Sequence, residues 1–240
     1  MTALAEGSRR PGWPAALLAV TLLAAPLLLA AAAVQTRDYP LAAFDRLQFS
    51  GAGKLHLTQG DSTRLTARGS TATLDALQVD VRDGTLHIDT RHAGSDLEVD
   101  LQVADLRAIV SRGAAHITSS GLHADNLLLH GSGAGSFDLR GLEAQHLEVR
   151  GQGATRFALT GQVGSHVINL RGSGAYQAGE LISDHVRIDV AGASDVRLWA
   201  DELLDVVVAG SARIRYAGSP RVEQQVSGLA RVLRVPQIII

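Results

Sequence analysis

The chain reads as all-β: a parallel β-helix, a solenoid of 18–21-residue coils, preceded by a β-rich N-terminal section. Three observations carry that expectation. The first is a recurring phrase. Leu127-Leu128-Leu129-His130-Gly131-Ser132-Gly133-Ala134 returns as Leu147-Glu148-Val149-Arg150-Gly151-Gln152-Gly153-Ala154 and as Ile168-Asn169-Leu170-Arg171-Gly172-Ser173-Gly174-Ala175. Shorter copies are Ile188-Asp189-Val190-Ala191-Gly192-Ala193 and Val206-Val207-Val208-Ala209-Gly210-Ser211. The anchoring glycines are read as Gly113, Gly133, Gly153, Gly174, Gly192, Gly210 and Gly228, and a fixed period in this range marks a solenoid. The second observation is phase. Apolar residues stand two apart before the glycine (Leu147, Val149; Val206, Val208) and two apart after it (Phe137, Leu139; Val196, Leu198), which is strand alternation. The third is composition: hydrophobic residues are 46% but aromatics only 4%, as a narrow stack of aliphatics requires. Each glycine then marks a corner between two strands, where the backbone needs φ > 0 or a close approach.

The elements follow in order. Arg9-Arg10 begins a leader whose residues 11–34 carry no charge and end Ala31-Ala32-Ala33-Val34. Residues 1–33 are read first as a secretory signal peptide, with an uncleaved membrane anchor as the rival, since the run is long enough to span a bilayer. Cleavage removes Glu6, Arg9 and Arg10, so the formal charge moves from −2 to −3. That balance excludes nucleic acid as a partner, which needs a basic surface. Residues 34–43 are read as a linker. A single β-helical domain is expected over 44–235, with 44–103 as its N-terminal section and cap. Within that section Gly51-Ala52-Gly53 resembles the repeat's own corner, Thr71–Ala76 is one helical turn or a loop, Arg82-Asp83-Gly84 turns a hairpin, and Leu97–Val103 is a strand. Residues 236–240 form an apolar tail beginning at Pro236, which covers the last coil or leaves an edge free. Cysteine is absent, which excludes disulfides, thiolate metal sites and cysteine nucleophiles.

The segments Phe44-Asp45-Arg46-Leu47, Leu55-His56-Leu57-Thr58-Gln59-Gly60-Asp61 and Val81-Arg82-Asp83-Gly84-Thr85-Leu86-His87-Ile88 resemble the opening of the bacterial auto-transporter adhesin, head GIN domain family. Val190-Ala191-Gly192-Ala193-Ser194-Asp195-Val196 is similar to that family's Gly-Ala-Ser-Asp phrase. The resemblance spans about residues 44–230. It implies an exported, single-domain β-helix and carries over no catalytic residue. Gly-Ser-Gly and Gly-Gln-Gly replace the plain Gly-Ala in several copies, which touches corner geometry and leaves the fold.

Two groups of residues stand out as candidate sites. Eight residues before the anchoring glycines lie Asp105, Asp125, Gln145, His166, Asp184 and Glu202. Stacked coils would place them in a ladder about 5 Å apart. Asp105/Asp125 and Asp184/Glu202 are the candidate metal residues for a weak Ca²⁺ site or a site for carbohydrate hydroxyls; the alternative is corner residues bonding local backbone N–H groups. The nine histidines are read as solvated strand or corner residues. The second group is Arg197, Arg213, Arg215 and Arg231, paired in phase as Arg197 with Arg215 and Arg213 with Arg231. These would meet an anionic polysaccharide, or else form an ordinary solvated face.

No nucleophile elbow, carboxylate pair in a cleft, phosphate loop or cofactor motif is legible, so no cofactor is expected. The expectation is a non-catalytic envelope protein with a structural or surface-interaction, adhesin-like role, in the periplasm, on the outer envelope or secreted. Its partner would be a surface polysaccharide or another envelope protein. The alternatives are a carbohydrate-active enzyme and a scaffold that self-assembles through an exposed coil edge.

Overall fold

The computed structural model describes residues 34–94 and 96–236. The leader over 1–33 and the end of the tail, 237–240, lie outside the described residues. Among those described, no helix is long and apolar enough to cross a membrane. The fold is the expected parallel β-solenoid.

Its coils are built from β7 (Ala108–Ser120), β8 (His123–Gly133), β9 (Ser136–Gly153), β10 (Arg156–Gly172), β11 (Ala175–Gly192), β12 (Asp195–Trp199), β13 (Leu203–Gly210), β14 (Arg213–Ala217), β15 (Arg221–Gly228) and β16 (Arg231–Arg234). All of their mutual pairings are parallel. Alternation turns every second side chain inward, and stacking in register turns inward positions into columns. One column runs Leu47, Ile109, Leu129, Val149, Ile168, Ile188, Val206. A second runs Ile117, Phe137, Phe157, Tyr176, Val196, Ile214. Every member of both is buried. The Phe137 and Phe157 rings stack with centroids 4.9 Å apart. Gly151 leaves them room: a Cβ there would lie 2.9 Å from Leu170 Cδ2 and 3.0 Å from the Phe157 ring.

The corner column is Gly51, Gly113, Gly133, Gly153, Gly172, Gly192, Gly210 and Gly228. The register therefore moves one anchor: the glycine aligned with Gly153 and Gly192 is Gly172, and Gly174 instead lies over Thr155. The repeated Gly-x-Gly offers two candidates two residues apart, and both preserve strand phase. All eight column members have positive φ, from 81° at Gly153 to 137° at Gly210. The amide after each glycine donates to the glycine carbonyl one coil earlier, as in Ala134 N–H to Gly113 O at 2.9 Å and Ala193 N–H to Gly172 O at 2.8 Å. A Cβ on Gly192 would stand 2.2 Å from that same Gly172 oxygen.

The N-terminal section is partly coil and partly cap. β2 (Arg46–Gln59) is a coil strand whose Gly51 joins the corner column, beneath β5 (Thr85–Asp89) and β6 (Glu98–Val103). The cap is where pairing turns antiparallel: β3 (Arg64–Gly69) on β6, and β4 (Gln78–Arg82) on β5 through Asp83 and Gly84 at φ 49° and 70°. Residues 35–39, expected in a linker, form β1 (Gln35–Tyr39), paired antiparallel with β3. Thr71–Ala76 is a short helix, α1, capped by Ser70, whose Oγ accepts from Thr73 N–H. Arg37 donates to Leu74 O at 3.0 Å and ties β1 to α1. The linker reading missed β1 because its Gln-Thr-Arg-Asp-Tyr sequence carries one large apolar side chain, and its order comes from pairing rather than from burial.

Gly192→Ala should lower stability by at least ~2 kcal/mol, because a positive φ and a backbone collision coincide there. Gly179→Ala, where a Cβ meets nothing within 4 Å, should stay within about 1 kcal/mol of wild type. Urea denaturation of both variants checks this, and equal effects would refute the role given to the column.

Candidate functional site

The acidic ladder is built by the corner that closes each coil. Asp105, Asp125 and Gln145 stand one above another, and Asp184 is followed by Glu202, whose N–H donates to Asp184 O at 2.9 Å. Gly164 fills the rung that the sequence assigns to His166, a consequence of the shifted anchor. The ladder's first half lines an open polar hollow of about 610 Å³ with Gln59, His123 and Glu143. Gln59 spans the hollow, donating to Ala104 O and His123 O and accepting from His123 N–H. The Glu202 carboxylate turns to His185 Nε2 at 3.2 Å, as Glu143 turns to His123 Nε2 at 3.2 Å. Among the described residues no group of three or more His, Asp or Glu side chains is disposed to hold a metal ion. Ca²⁺ prefers six to eight oxygens, more than a stacked pair of carboxylates supplies.

The arginines come together. In register, Arg197 on β12 lies beside Arg215 on β14, and Arg213 on β14 lies beside Arg231 on β16. Residues two apart on one strand share a face, so all four project from the same wall, about 4.8 Å apart between strands and 6–7 Å along them. Their charges are unequally committed. Arg215 donates to both Asp195 carboxylate oxygens, at 2.7 and 2.9 Å, while Arg213 reaches Asp195 only at 3.8 Å. Arg140, further along the wall, pairs with Asp138 at 3.1 Å. Arg197 and Arg231 have no acidic partner among the described residues. A groove of about 580 Å³ runs between Arg140, Arg197 and Arg215, floored by Ala158 and Ala217 and closed at one side by Val235 and Pro236.

Sequence reasoning missed Trp199. It stands two residues after Arg197 on β12, so it belongs to the same outward row, and it is half-buried, with its indole N–H on Asp201 Oδ1 at 2.7 Å. The signal was that two-residue step from Arg197. It is easily lost when the aromatic content is low and Trp is read as core.

The family model described as "Putative auto-transporter adhesin, head GIN domain" matches residues 43–220. The chain belongs to this family. Its fold is shared by a crystal structure of a "putative adhesin" from Bacteroides fragilis: TM-score 0.80, 24% identity, 85% of this chain and 97% of that one covered. It is also shared by a "putative lipid binding protein" from Parabacteroides distasonis: TM-score 0.67, 17% identity, 84% and 96% covered. A third, a "putative adhesin" from Parabacteroides merdae, has a TM-score of 0.63 at 16% identity, with 84% and 96% covered. No curated protein matches the chain.

One histidine of this head GIN domain corrects the solvated reading. His166 is buried in a core column, between Leu147 and Val186. Its Nε2 lies 2.5 Å from the Tyr176 hydroxyl and its Nδ1 3.3 Å from Ser183 Oγ. Ser183 Oγ donates to Leu181 O at 3.2 Å, so it accepts from His166 Nδ1–H, and Tyr176 O–H donates to Nε2. The network thus holds the neutral ring. Burial lowers the His166 pKa to about 3 and raises that of the Tyr176 hydroxyl. A free histidine titrates near 6.5. The neutral ring's stability is therefore complete above about pH 6.5 and is lost as pH falls toward 3, at roughly 1.4 kcal/mol per unit. Between pH 7.5 and 4.5 the wild type should lose roughly 2–3 kcal/mol more than His166→Leu/Tyr176→Phe, which keeps the column filled and titrates nothing. Denaturant unfolding at the two pH values checks this, and equal losses would remove His166 from the account.

Proposed function

We propose that this chain is an exported, non-catalytic, adhesin-like module of the bacterial envelope that binds anionic polysaccharide on the wall carrying Arg197, Arg213, Arg215, Arg231 and Trp199. The single observation that carries the reading is the groove with Arg197 unpaired on its wall, one step along β12 from a half-exposed indole. A guanidinium takes carboxylate or sulfate, and an indole face takes the apolar side of a sugar ring. Membership of an adhesin-named family and the likeness to adhesin-named structures support a surface role. Export rests on the leader that the sequence predicts. The runner-up, a carbohydrate-active enzyme, needs two free carboxylates across a cleft. Of the acids near this groove, Asp138 is held by Arg140 and Asp195 by Arg215, which leaves Glu180 as a single carboxylate on the lining rather than a pair across a cleft.

The test is an array of neutral and anionic polysaccharides probed with residues 34–240, with and without Ca²⁺. Selective retention of anionic glycans, weakened roughly tenfold by Arg197→Ala and by Trp199→Ala and unchanged by chelation, is the expected result. Arg82→Ala, on β4 of the N-terminal cap and paired with Asp80, serves as the surface control. Silence across the array would end the polysaccharide reading.

A further inference from the structure

The two ends of the solenoid are finished differently. The N-terminal end is closed by β1, β3, β4 and α1. The C-terminal end stops at β15 and β16, and among the described residues each has one strand neighbour, β13 and β14 respectively. β15 is exposed along nearly its whole length. Five large apolar side chains stand exposed among the described residues, and three of them, Val226, Leu229 and Leu233, belong to this last coil. An open parallel edge of this kind is a template for another strand.

We infer that two copies of this chain join end to end through β15, about a two-fold axis at Gln224. The backbone decides which groups are free. Arg221 N–H donates to Glu202 O, toward β13. Backbone direction alternates along a strand, so Glu223, Gln225 and Ser227 also face β13, and Val222, Gln224 and Val226 present their N–H and C=O groups to the open edge. A two-fold contact pairs the strand with itself in antiparallel sense. The register centred on Gln224 sets Val222 opposite the partner's Val226 and Gln224 opposite its own copy, every one a hydrogen-bonded pair, for about six backbone bonds.

The side chains agree with that register. Val222, Gln224 and Val226 are the inward positions, stacked on Leu204, Val206 and Val208. Pairing therefore continues the core from one copy into the next, with valine against valine. The facing Gln224 amides are self-complementary, each with donors and an acceptor. On the outer face Arg221 meets Ser227 and Glu223 meets Gln225, so no like charges oppose. Sliding the register by one pair toward the N-terminus would set Glu223 against its own copy, which is unfavourable. A two-fold contact uses one edge on both copies and closes at two.

Sedimentation equilibrium of residues 34–240, which form a compact unit without the leader, reads the association directly. The expected result is a monomer–dimer equilibrium over the micromolar to millimolar range. Gln224→Glu and Gln224→Lys each place like charges at the axis and should weaken the dimer roughly tenfold. Mixing the two variants should restore it as a heterodimer. Gln224 is exposed in the single chain, so both variants should melt as wild type does at low concentration. A chain monomeric throughout the range, a dimer indifferent to both charges, or a dimer formed only after deletion of residues 237–240 would each overturn the inference.

Discussion

The structure depends on one backbone contact repeated along a corner: the amide that follows each column glycine donates to the glycine carbonyl of the coil before. Six such rungs join Gly113 to Leu229, each at 2.8–2.9 Å. The carbonyl approaches so closely that the next glycine cannot carry a Cβ, and the turn itself demands positive φ. The contact pins register at one point per coil. Strand alternation then carries that register outward, so Ile188 falls on Ile168 and Val196 on Tyr176 with no further instruction. Length variation is displaced to the far side. The register slips in β10 and β11 occur around Ala158–Gly161, and the glycine corners keep step across them.

The same logic explains what was legible in the sequence. Period two and the returning glycine state the fold, because both follow directly from the coil's repeat. The Asp83-Gly84 hairpin and the Gly51 corner were legible for the same reason: each needs a particular backbone that few residues adopt. Position within a coil was less legible. Gly172 and Gly174 differ by a step that preserves phase, and only the pairing of β10 with β9 and β11 selects between them. That single ambiguity moved His166 from the core into a surface ladder and hid the Tyr176 contact. β1 was illegible for a different cause, since its order comes from pairing with β3 and carries no hydrophobic signature. The arginine group was legible in phase, and its groove was not, because Val235 and Pro236 return to it from the chain's end.

His166 also shows how far the core tolerates exception. A polar ring in an aliphatic column needs every nitrogen satisfied, because an unpaired buried polar group is costly. Tyr176 lies one coil on and in the neighbouring column, so the stacking that builds the aromatic row also delivers the hydroxyl to Nε2. Ser183 supplies the other side from the far corner. The dyad is thus a product of register as much as the valine columns are. Its pH sensitivity follows from burial alone, since no charged group contributes to the lowered pKa.

Function in such a fold has to reside outside the columns. The Bacteroides fragilis structure keeps this architecture at 24% identity, as expected when inward positions are held only to size and apolarity and corners to glycine. Outward positions are free of both demands, yet they inherit the stacking. A side chain placed outward on one strand has neighbours about 4.8 Å away on the next coils, and 6–7 Å away along its own strand. Arg197, Arg213, Arg215 and Arg231 occupy that lattice on strands where the inward residues are Val196, Ile214 and Val232. A scattered set of cations on an irregular surface would each have to be positioned separately. Here the corner rungs position all of them together, at the spacing of the coils and strands that carry them.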